Sequence, residues 1–245
     1  ITPYELYLEF LNEWLYEKIH KDKKELESGY FPKNFKYLAY QRDAVIEAKD
    51  IVEEHGGVFL SDVVGLGKTY MGALLAKELP GTTLVIAPPR LVSENNPGSC
   101  KSVLNDFEVK YIIESKGKLE QILENYDTDE YQNVIIDESH EFRNEDTQQY
   151  EYLSQICKGK KVILISATPF NNSIQDLLSQ IKLFQKSHKS TLPNPKVRDL
   201  ENYFNALIKS INQYDKKENP EEFMQANQKV AKDIRENILR YLMVR

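Results

Sequence analysis

The chain has 245 residues, of which 41% are hydrophobic and 29% are charged, a balance typical of a soluble globular protein. It contains no apolar run of 18 or more residues, and its N-terminus is amphipathic and acidic, which argues against a membrane span and a signal peptide. We therefore expect a cytoplasmic protein. The two cysteines, Cys100 and Cys157, lack C-x-x-C spacing and neighbouring histidine clusters, so neither a zinc site nor a disulfide framework is indicated.

The formal net charge of −6 is unevenly distributed along the chain. Residues 173–245 carry 13 Lys and Arg against 9 Asp and Glu, so the basic excess lies in the C-terminal third. An acidic chain weighs mildly against nucleic acid, whose phosphates are contacted by Lys and Arg. The C-terminal excess fits either helices that line a duplex or an ordinary solvated face.

The first predicted element is an amphipathic helix near the N-terminus. Thr2-Pro3-Tyr4-Glu5 forms a capping box with proline at the first helical position. An apolar stripe follows at helical spacing: Tyr7, Phe10, Leu11, Trp14 and Leu15. A second helix is predicted from Gln41 to about Glu54, and the glycine pair at 56–57 ends it.

Short apolar runs rich in β-branched residues follow, separated by segments of helix length. These runs are VFL at 58–60, TLVIA at 83–87, KYII at 110–113, NVII at 133–136 and KVILI at 161–165. Continuous apolarity suits strands that are buried on both faces, and the helices between them supply the crossovers of a parallel sheet. The sequence therefore predicts a doubly wound α/β fold.

Beyond Asn172 the strand-like runs stop and helical patterns take over. Apolar residues recur at helical spacing over 174–181 and 204–211, and a proline-containing loop is predicted near 192–195. We therefore expect three regions. They are an N-terminal helical extension over residues 1–35, an α/β lobe over 36–172 and a C-terminal helical appendage over 173–245.

The stretch SDVVGLGKTY at 61–70 ends like a phosphate-binding loop and lies between a predicted strand and a predicted helix. Three backbone N–H groups are expected to face phosphates at the helix N-terminus, those of Gly65, Leu66 and Gly67. Lys68 is expected to reach the β- and γ-phosphates, and the Thr69 hydroxyl to ligate Mg²⁺. Asp62 replaces the first glycine of G-x-x-x-x-G-K-[ST], so a glycine-rich turn with a surface lysine is the alternative.

A second candidate element is VIIDESH at 134–140, an apolar strand that ends in two adjacent carboxylates. Asp137 at the strand end suits Mg²⁺ binding through water, and Glu138 suits polarisation of an attacking water. A solvated turn is the alternative for an isolated Asp-Glu pair. A phosphate-binding loop upstream in the same parallel sheet favours the catalytic interpretation.

The third element is LISATPFNN at 164–172, which follows the next predicted strand. Ser166 and Thr168 place hydroxyls near the same sheet edge, between the nucleotide site and whatever lies beyond it. The alternative is a simple strand-to-helix loop in which Thr168 caps a helix before Pro169.

Taken together, these motifs resemble those of superfamily-2 helicases and, more closely, of Swi/Snf-type translocases with their bacterial helicase-like relatives. In that family an aspartate followed by x-x-G-L-G-K-T is the usual phosphate-binding loop, which is similar to DVVGLGKT and accounts for Asp62. Other segments match in order: LAYQ at 38–41, LVIAPPRLV at 84–92, DESHEFRN at 137–144, SATPFNN at 166–172 and ILRYLMVR at 238–245. The resemblance covers residues 36–175 well.

This resemblance implies the first RecA-like lobe of an enzyme that uses ATP and Mg²⁺ and moves along nucleic acid, most simply double-stranded DNA. It assigns adenine contact to Gln41, with Tyr40 (or Tyr37) stacking on the base. It assigns coupling between ATP hydrolysis and movement to His140, Ser166 and Thr168. It assigns nucleic-acid contact to Pro88, Arg90 and Asn171. A solvated side chain is the alternative for Arg90 and for Arg143. In a bacterium the protein would be associated with the nucleoid.

The sequence also departs from the family pattern. Cys100 lies where relatives often have tryptophan, and no segment resembles the second RecA-like lobe, whose arginine completes the ATP site. We therefore expect this lobe to hydrolyse ATP poorly by itself. Two other functions remain open: a regulatory nucleotide-binding module that acts through a protein partner, and a P-loop hydrolase of small molecules, which Gln41 and SATP disfavour.

Overall fold

The computed structural model describes residues 26, 39–61, 67–92, 98–142, 144–166, 173–215 and 217–244. Helix α1 (Ala39–His55) leads to strand β1 (Gly57–Leu60), and α2 (Lys68–Glu78) leads to β2 (Thr83–Ala87). The short α3 (Pro89–Val92) and α4 (Cys100–Asp106) precede β3 (Tyr111–Ser115), and α5 (Leu119–Asn125) precedes β4 (Asn133–Asp137). Helix α6 (Gln148–Cys157) precedes β5 (Lys161–Ile165).

The C-terminal part of the described chain is mainly helical. It comprises α7 (Ile174–Lys182), α8 (Leu200–Asn212), α9 (Pro220–Ile234), a π-helical segment (Arg235–Leu239), α10 (Arg240–Leu242) and strand β6 (Met243–Val244). No helix in these described ranges has the length and apolarity that crossing a membrane requires.

The described strands form one parallel sheet in the order β3-β2-β4-β5-β1-β6. The bounds of β2 and β5 coincide with the predicted runs, and the predicted doubly wound α/β fold is confirmed. In the centre of the sheet, Asp137 pairs with Ile165, and Ile165 pairs with Leu60. Because carboxyl ends of parallel strands share one edge, the segments that follow β1, β4 and β5 leave the sheet side by side.

Two apolar clusters cover the two faces of the sheet, because successive strand residues point to opposite sides. One cluster combines Val58, Val85 and Ile163 with apolar residues of α1, α2 and α4, and we call this side the phosphate-loop face. The other combines alternate strand residues with apolar residues of α5 to α9, and we call it the acid-box face. Both faces are therefore covered by helices, as an all-parallel sheet requires.

One short strand lies beyond Asn172, where the sequence predicts helices alone. In β6, Met243 pairs with Phe59 and Val244 pairs with Leu60. A strand of two residues is too short to produce an apolar run, so the sequence does not distinguish it from the end of the preceding helix. The helices between α7 and β6 share the apolar cluster of the acid-box face. The predicted domain boundaries stay a prediction, and the predicted N-terminal helix lies outside the described residues.

Candidate active site

The start of α2 forms one wall of the site. Gly67 is left-handed (φ 85°, ψ 37°), and a Cβ atom there would lie 3.0 Å from Nε2 of Gln41, so both the backbone and the close approach require glycine. Lys68 and Thr69 occupy the first turn of α2, where N–H groups have no partner within the helix. This helix start is therefore suited to bind an anion.

Gln41 and Tyr40 lie in the first turn of α1, beside that helix start. The Gln41 side chain is buried with its amide against Gly67, whereas Tyr40 is 44% exposed. An exposed ring next to a buried amide is compatible with the predicted contact to a base, and these roles stay predictions. Five other predicted site residues lie outside the described ranges: Asp62, Gly65, Leu66, Thr168 and Asn171.

Asp137 ends β4 and is 9% exposed. Its Oδ1 accepts the backbone N–H of Glu138 at 3.0 Å, and its Oδ2 accepts the thiol of Cys100 at an S–O distance of 3.7 Å. Burial raises the pKa of Asp137, and the charge of Glu138 raises it further, whereas the two hydrogen bonds and Lys68 lower it. A cation beside Asp137 would therefore offset a real cost of burying its charge.

The two predicted Mg²⁺ ligands face the same small pocket. Its lining residues come from α2, α4 and three strands: Thr69, Gly72, Ala73, Val85, Cys100, Leu104, Ile135, Asp137 and Ile165. One carboxylate and one hydroxyl suit Mg²⁺, which takes few protein ligands and keeps water and phosphate oxygens. Within the described ranges, no group of three or more His, Cys, Asp or Glu side chains could hold a metal by itself. Thr69 and Asp137 could therefore contribute to a cation site only together with ligands that a nucleotide and water supply.

Glu138 begins the acid-box turn, which we define as residues Glu138–Glu141. Its backbone is left-handed (φ 55°, ψ 45°), an uncommon conformation for a residue with a side chain. Its carboxylate Oε2 lies 3.3 Å from Nδ1 of His140, and its side chain is 32% exposed. The same Nδ1 lies 3.2 Å from Oγ of the buried Ser166 at the end of β5. His140 thus connects the exposed acid to the neighbouring strand.

A buried pair anchors the other side of the acid-box turn. The Ser139 hydroxyl donates to Oε1 of Gln180 in α7 at 3.1 Å, and both residues are about 1% exposed. The α7 backbone is held in turn by the hydroxyl of Tyr150, which donates to the Ser179 carbonyl at 2.7 Å. The acid-box turn is therefore fixed from β5 and from α7.

Two of the predicted nucleic-acid contacts, Pro88 and Arg90, follow β2 at the same edge of the sheet. Pro88 is buried and its carbonyl accepts the Leu91 N–H at 2.9 Å, whereas Arg90 in α3 is exposed. An open cleft runs beside α3 towards the acid-box turn, and Lys116 and Glu141, which form an ion pair, lie in its wall. Arg90 is thus accessible to a large ligand, and Arg143 lies outside the described residues.

Comparison with known proteins matches residues 93–242 to the SNF2-related domain. The chain belongs to the SNF2-related domain family. This membership confirms the predicted Swi/Snf-type superfamily-2 lobe. A solved structure described as the Sulfolobus solfataricus SWI2/SNF2 ATPase core in complex with dsDNA shares the fold, with a TM-score of 0.61 and 16% identity. The match covers 91% of this chain and 46% of that one, and it confirms the RecA-like fold.

Two curated relatives of this SNF2-related domain are much longer proteins. An uncharacterized ATP-dependent helicase of Bacillus subtilis is 29% identical over 58% of this chain and 28% of its own length. A probable ATP-dependent DNA helicase of Arabidopsis thaliana is 26% identical over 78% of this chain and 19% of its own length. The alignments thus span less than a third of either relative.

Sequence reasoning missed two contacts in this SNF2-related domain. The sequence assigned no partner to Cys100, yet its thiol reaches Asp137. Gln180 follows Leu177 and Leu178 in the apolar pattern of α7, and a polar residue amid buried neighbours was the available signal. The sequence could not show its partner, which lies 41 positions away.

Proposed function

We propose that this SNF2-related domain is the ATP-binding lobe of a nucleic-acid-stimulated ATPase that couples hydrolysis to movement along double-stranded DNA. One observation carries the proposal: Thr69 and Asp137 share a pocket, and Glu138 lies immediately beyond it in contact with His140. The two relatives are described as ATP-dependent helicases, which supports ATP use. The solved structure with dsDNA supports a DNA partner.

In this proposal the start of α2 binds the triphosphate. Its N–H groups and the Lys68 ammonium compensate phosphate charge, and the buried Gln41 amide reads the adenine edge with Tyr40 against the base. Thr69 and Asp137 hold Mg²⁺, which neutralises charge on the phosphates when it is bound. Asp62, Gly65 and Leu66 keep the roles that the sequence predicts.

Glu138 performs the proton transfer. Water attacks the γ-phosphorus, the bond to the bridging oxygen breaks, ADP leaves, and the proton of the water passes to the Glu138 carboxylate. A side chain that is about one-third exposed can reach water, whereas the enclosed Asp137 is suited to the metal. The two adjacent acids therefore divide metal binding and water activation.

In this proposal His140 and Ser166 relay the state of the nucleotide towards Thr168, whose coupling role is predicted from the sequence. The relay begins at the contact between Glu138 and His140 and crosses to Ser166, where β5 ends. Arg90, Pro88 and Asn171 are assigned to the DNA backbone, of which Arg90 is exposed in α3. A cytoplasmic location stays a prediction from the sequence.

Efficient hydrolysis also requires a second RecA-like lobe in this proposal. An arginine supplied across the nucleotide is worth about 10³–10⁵ in rate in phosphoryl-transfer enzymes. The lobe described here would consequently bind ATP weakly and hydrolyse it slowly by itself.

The test is the ATPase rate of the full-length protein without nucleic acid and with duplex DNA, single-stranded DNA or RNA. We expect duplex DNA to give the largest increase, and the Glu138→Gln variant to lose hydrolysis under every condition. A protein that binds ATP but gains no turnover from any nucleic acid would instead be a regulatory module, and the proposal would be wrong.

A further inference from the structure

The acid-box turn is held in a backbone conformation that it would not adopt unaided. Glu138 is left-handed, and its side chain gives that conformation a steric penalty. Such strained residues persist only where the surrounding structure fixes them, and they are concentrated at functional sites. The proposed chemistry uses Glu138 but does not explain what maintains its backbone.

Few hydrogen bonds within the acid-box turn could maintain the left-handed backbone of Glu138. The Glu138 carbonyl accepts the Glu141 N–H at 3.1 Å, and the Ser139 carbonyl accepts the Phe142 N–H at 3.0 Å. These bonds close a single short 3₁₀ turn, which is a weak local structure. A more rigid support for the turn has to come from another element of the fold.

Strand β5 holds His140 through Ser166, and helix α7 provides a second support, because it is capped at its start and packed along its length. Ser173 caps its first turn by accepting the Asp176 N–H at 3.1 Å. Leu177 and Ile181 are fully buried in the acid-box face, and Tyr150 binds the carbonyl of Ser179. The helix therefore cannot shift without disrupting the core.

Gln180 connects this helix to the turn. Its Nε2 donates to the Asp176 carbonyl at 3.2 Å, which orients the amide so that Oε1 faces the Ser139 hydroxyl at 3.1 Å. Both side chains are shielded from water, where a hydrogen bond is expensive to leave unmade. The bond thus ties the residue after Glu138 to a fixed helix.

We propose that Gln180 is a positioning residue that acts through Ser139 to hold the Glu138 carboxylate in place for water activation. The inference rests on the proposed function, since it assigns Gln180 to the orientation of the proposed base. Gln180 does not line the pocket of Thr69 and Asp137, so its effect falls on turnover and not on nucleotide binding.

Three variants separate positioning from stability. Gln180→Leu removes the acceptor of the buried Ser139 hydroxyl, and Ser139→Ala removes the donor to Oε1. The double variant removes both partners, which restores stability better than either single change. Gln175→Leu is the matched control, because it makes the same substitution at an exposed position of α7.

The experiment measures kcat and KM for ATP in the full-length protein with saturating duplex DNA, together with the thermal midpoint of each variant. For Gln180→Leu we expect kcat to fall about tenfold with KM for ATP within about twofold of the wild type. The double variant should regain most of the thermal midpoint but not kcat, and Gln175→Leu should behave like the wild type.

Two results would overturn the inference while the proposed function stands. One is an active wild type with full kcat in Gln180→Leu. The other is a double variant that regains kcat together with its thermal midpoint, which would make the pair purely structural. A wild type that hydrolyses no ATP with any nucleic acid would instead refute the proposed function itself, so the two failures are distinguishable.

Discussion

On the phosphate-loop face, Asp137 is enclosed by apolar side chains and contacts only two donors among the described groups, the Cys100 thiol and the Glu138 N–H. On the acid-box side, the next residues are joined to β5 through His140 and to α7 through Ser139. Two carboxylates that are adjacent in sequence therefore have very different surroundings.

This difference arises from the end of a strand. Asp137 still belongs to β4 and shares the side of Ile135, whereas the left-handed Glu138 leaves the sheet. A buried acid suits a fixed metal position, and an accessible acid on a hydrogen-bonded turn suits proton transfer. The comparison predicts that the two sides can be disabled separately.

The largest effects should come from Lys68→Ala and Glu138→Gln. Lys68→Ala removes a cation from the phosphates and should weaken ATP binding by about tenfold or more, because charged hydrogen bonds contribute about 1.5–3 kcal/mol. Glu138→Gln should keep ATP affinity within about twofold and lower kcat by about 10²–10⁴, the usual contribution of a general base. Calorimetric titration with ATP and single-turnover hydrolysis measure the two effects. Equal losses of ATP affinity in both variants would contradict the separation of nucleotide binding from water activation.

Two glycine substitutions compare the packing of the two faces. At Gly57 a Cβ atom would lie 2.4 Å from the Phe184 ring on the acid-box face, so Gly57→Ala should destabilise the protein by about 1–3 kcal/mol. At Gly72 it would lie 2.8 Å from the terminal methyl of Ile165 on the phosphate-loop face. The gain in helix propensity, about 1 kcal/mol, should offset most of that overlap in Gly72→Ala. Urea unfolding of both variants tests this, and equal shifts in midpoint would show that the faces are packed alike.

The smallest effect is expected at the opposite edge of the sheet, where α1 meets the loop after α7. Nδ1 of His55 lies 2.8 Å from Oγ1 of Thr191, and burial lowers the pKa of His55 although Glu54 partly raises it. A lowered pKa means that the folded state binds fewer protons, so this contribution is complete above pH 6.5 and is lost as the pH falls below it.

The pKa of the exposed His188 shifts in the opposite direction. Its hydrogen bond to Asp199 raises its pKa, so its contribution is complete just below pH 6.5, where Asp199 is still ionised, and is lost as the pH rises through that raised value. His55→Asn should therefore flatten the decline in unfolding free energy below pH 6.5, and His188→Asn should not. Urea unfolding between about pH 5 and pH 8 measures both. An unchanged decline in His55→Asn would exclude His55 as its source.

The sequence predicted those parts of the fold that local patterns encode. The continuous apolar runs of β2 and β5 give their exact bounds, and the helix pattern after the glycine-rich loop places α2 to within one residue. Strand β6 could not be predicted, because Met243 and Val244 join the sheet through a partner far away in the chain. Such pairing depends on the tertiary fold.

The candidate site also has parts that local motifs predict and parts that depend on the tertiary fold. Asp137 and Thr69 were predicted to share one site because each belongs to a motif that follows a strand of the same parallel sheet, and they line one pocket. The contacts of Cys100 and Gln180 depend on how helices pack, which no local motif reports. The roles of Asp62, Thr168 and Asn171 stay predictions, because these residues lie outside the described ranges.

Strand β6 also has a mechanical consequence. The Ser61 N–H donates to the Val244 carbonyl at 3.0 Å, immediately before the predicted phosphate-binding loop. Because Met243 and Val244 lie in register with Phe59 and Leu60, tension on the backbone at Val244 passes directly into β1. The shear strength of this two-residue ladder then limits the force that can pass into β1 before β6 detaches.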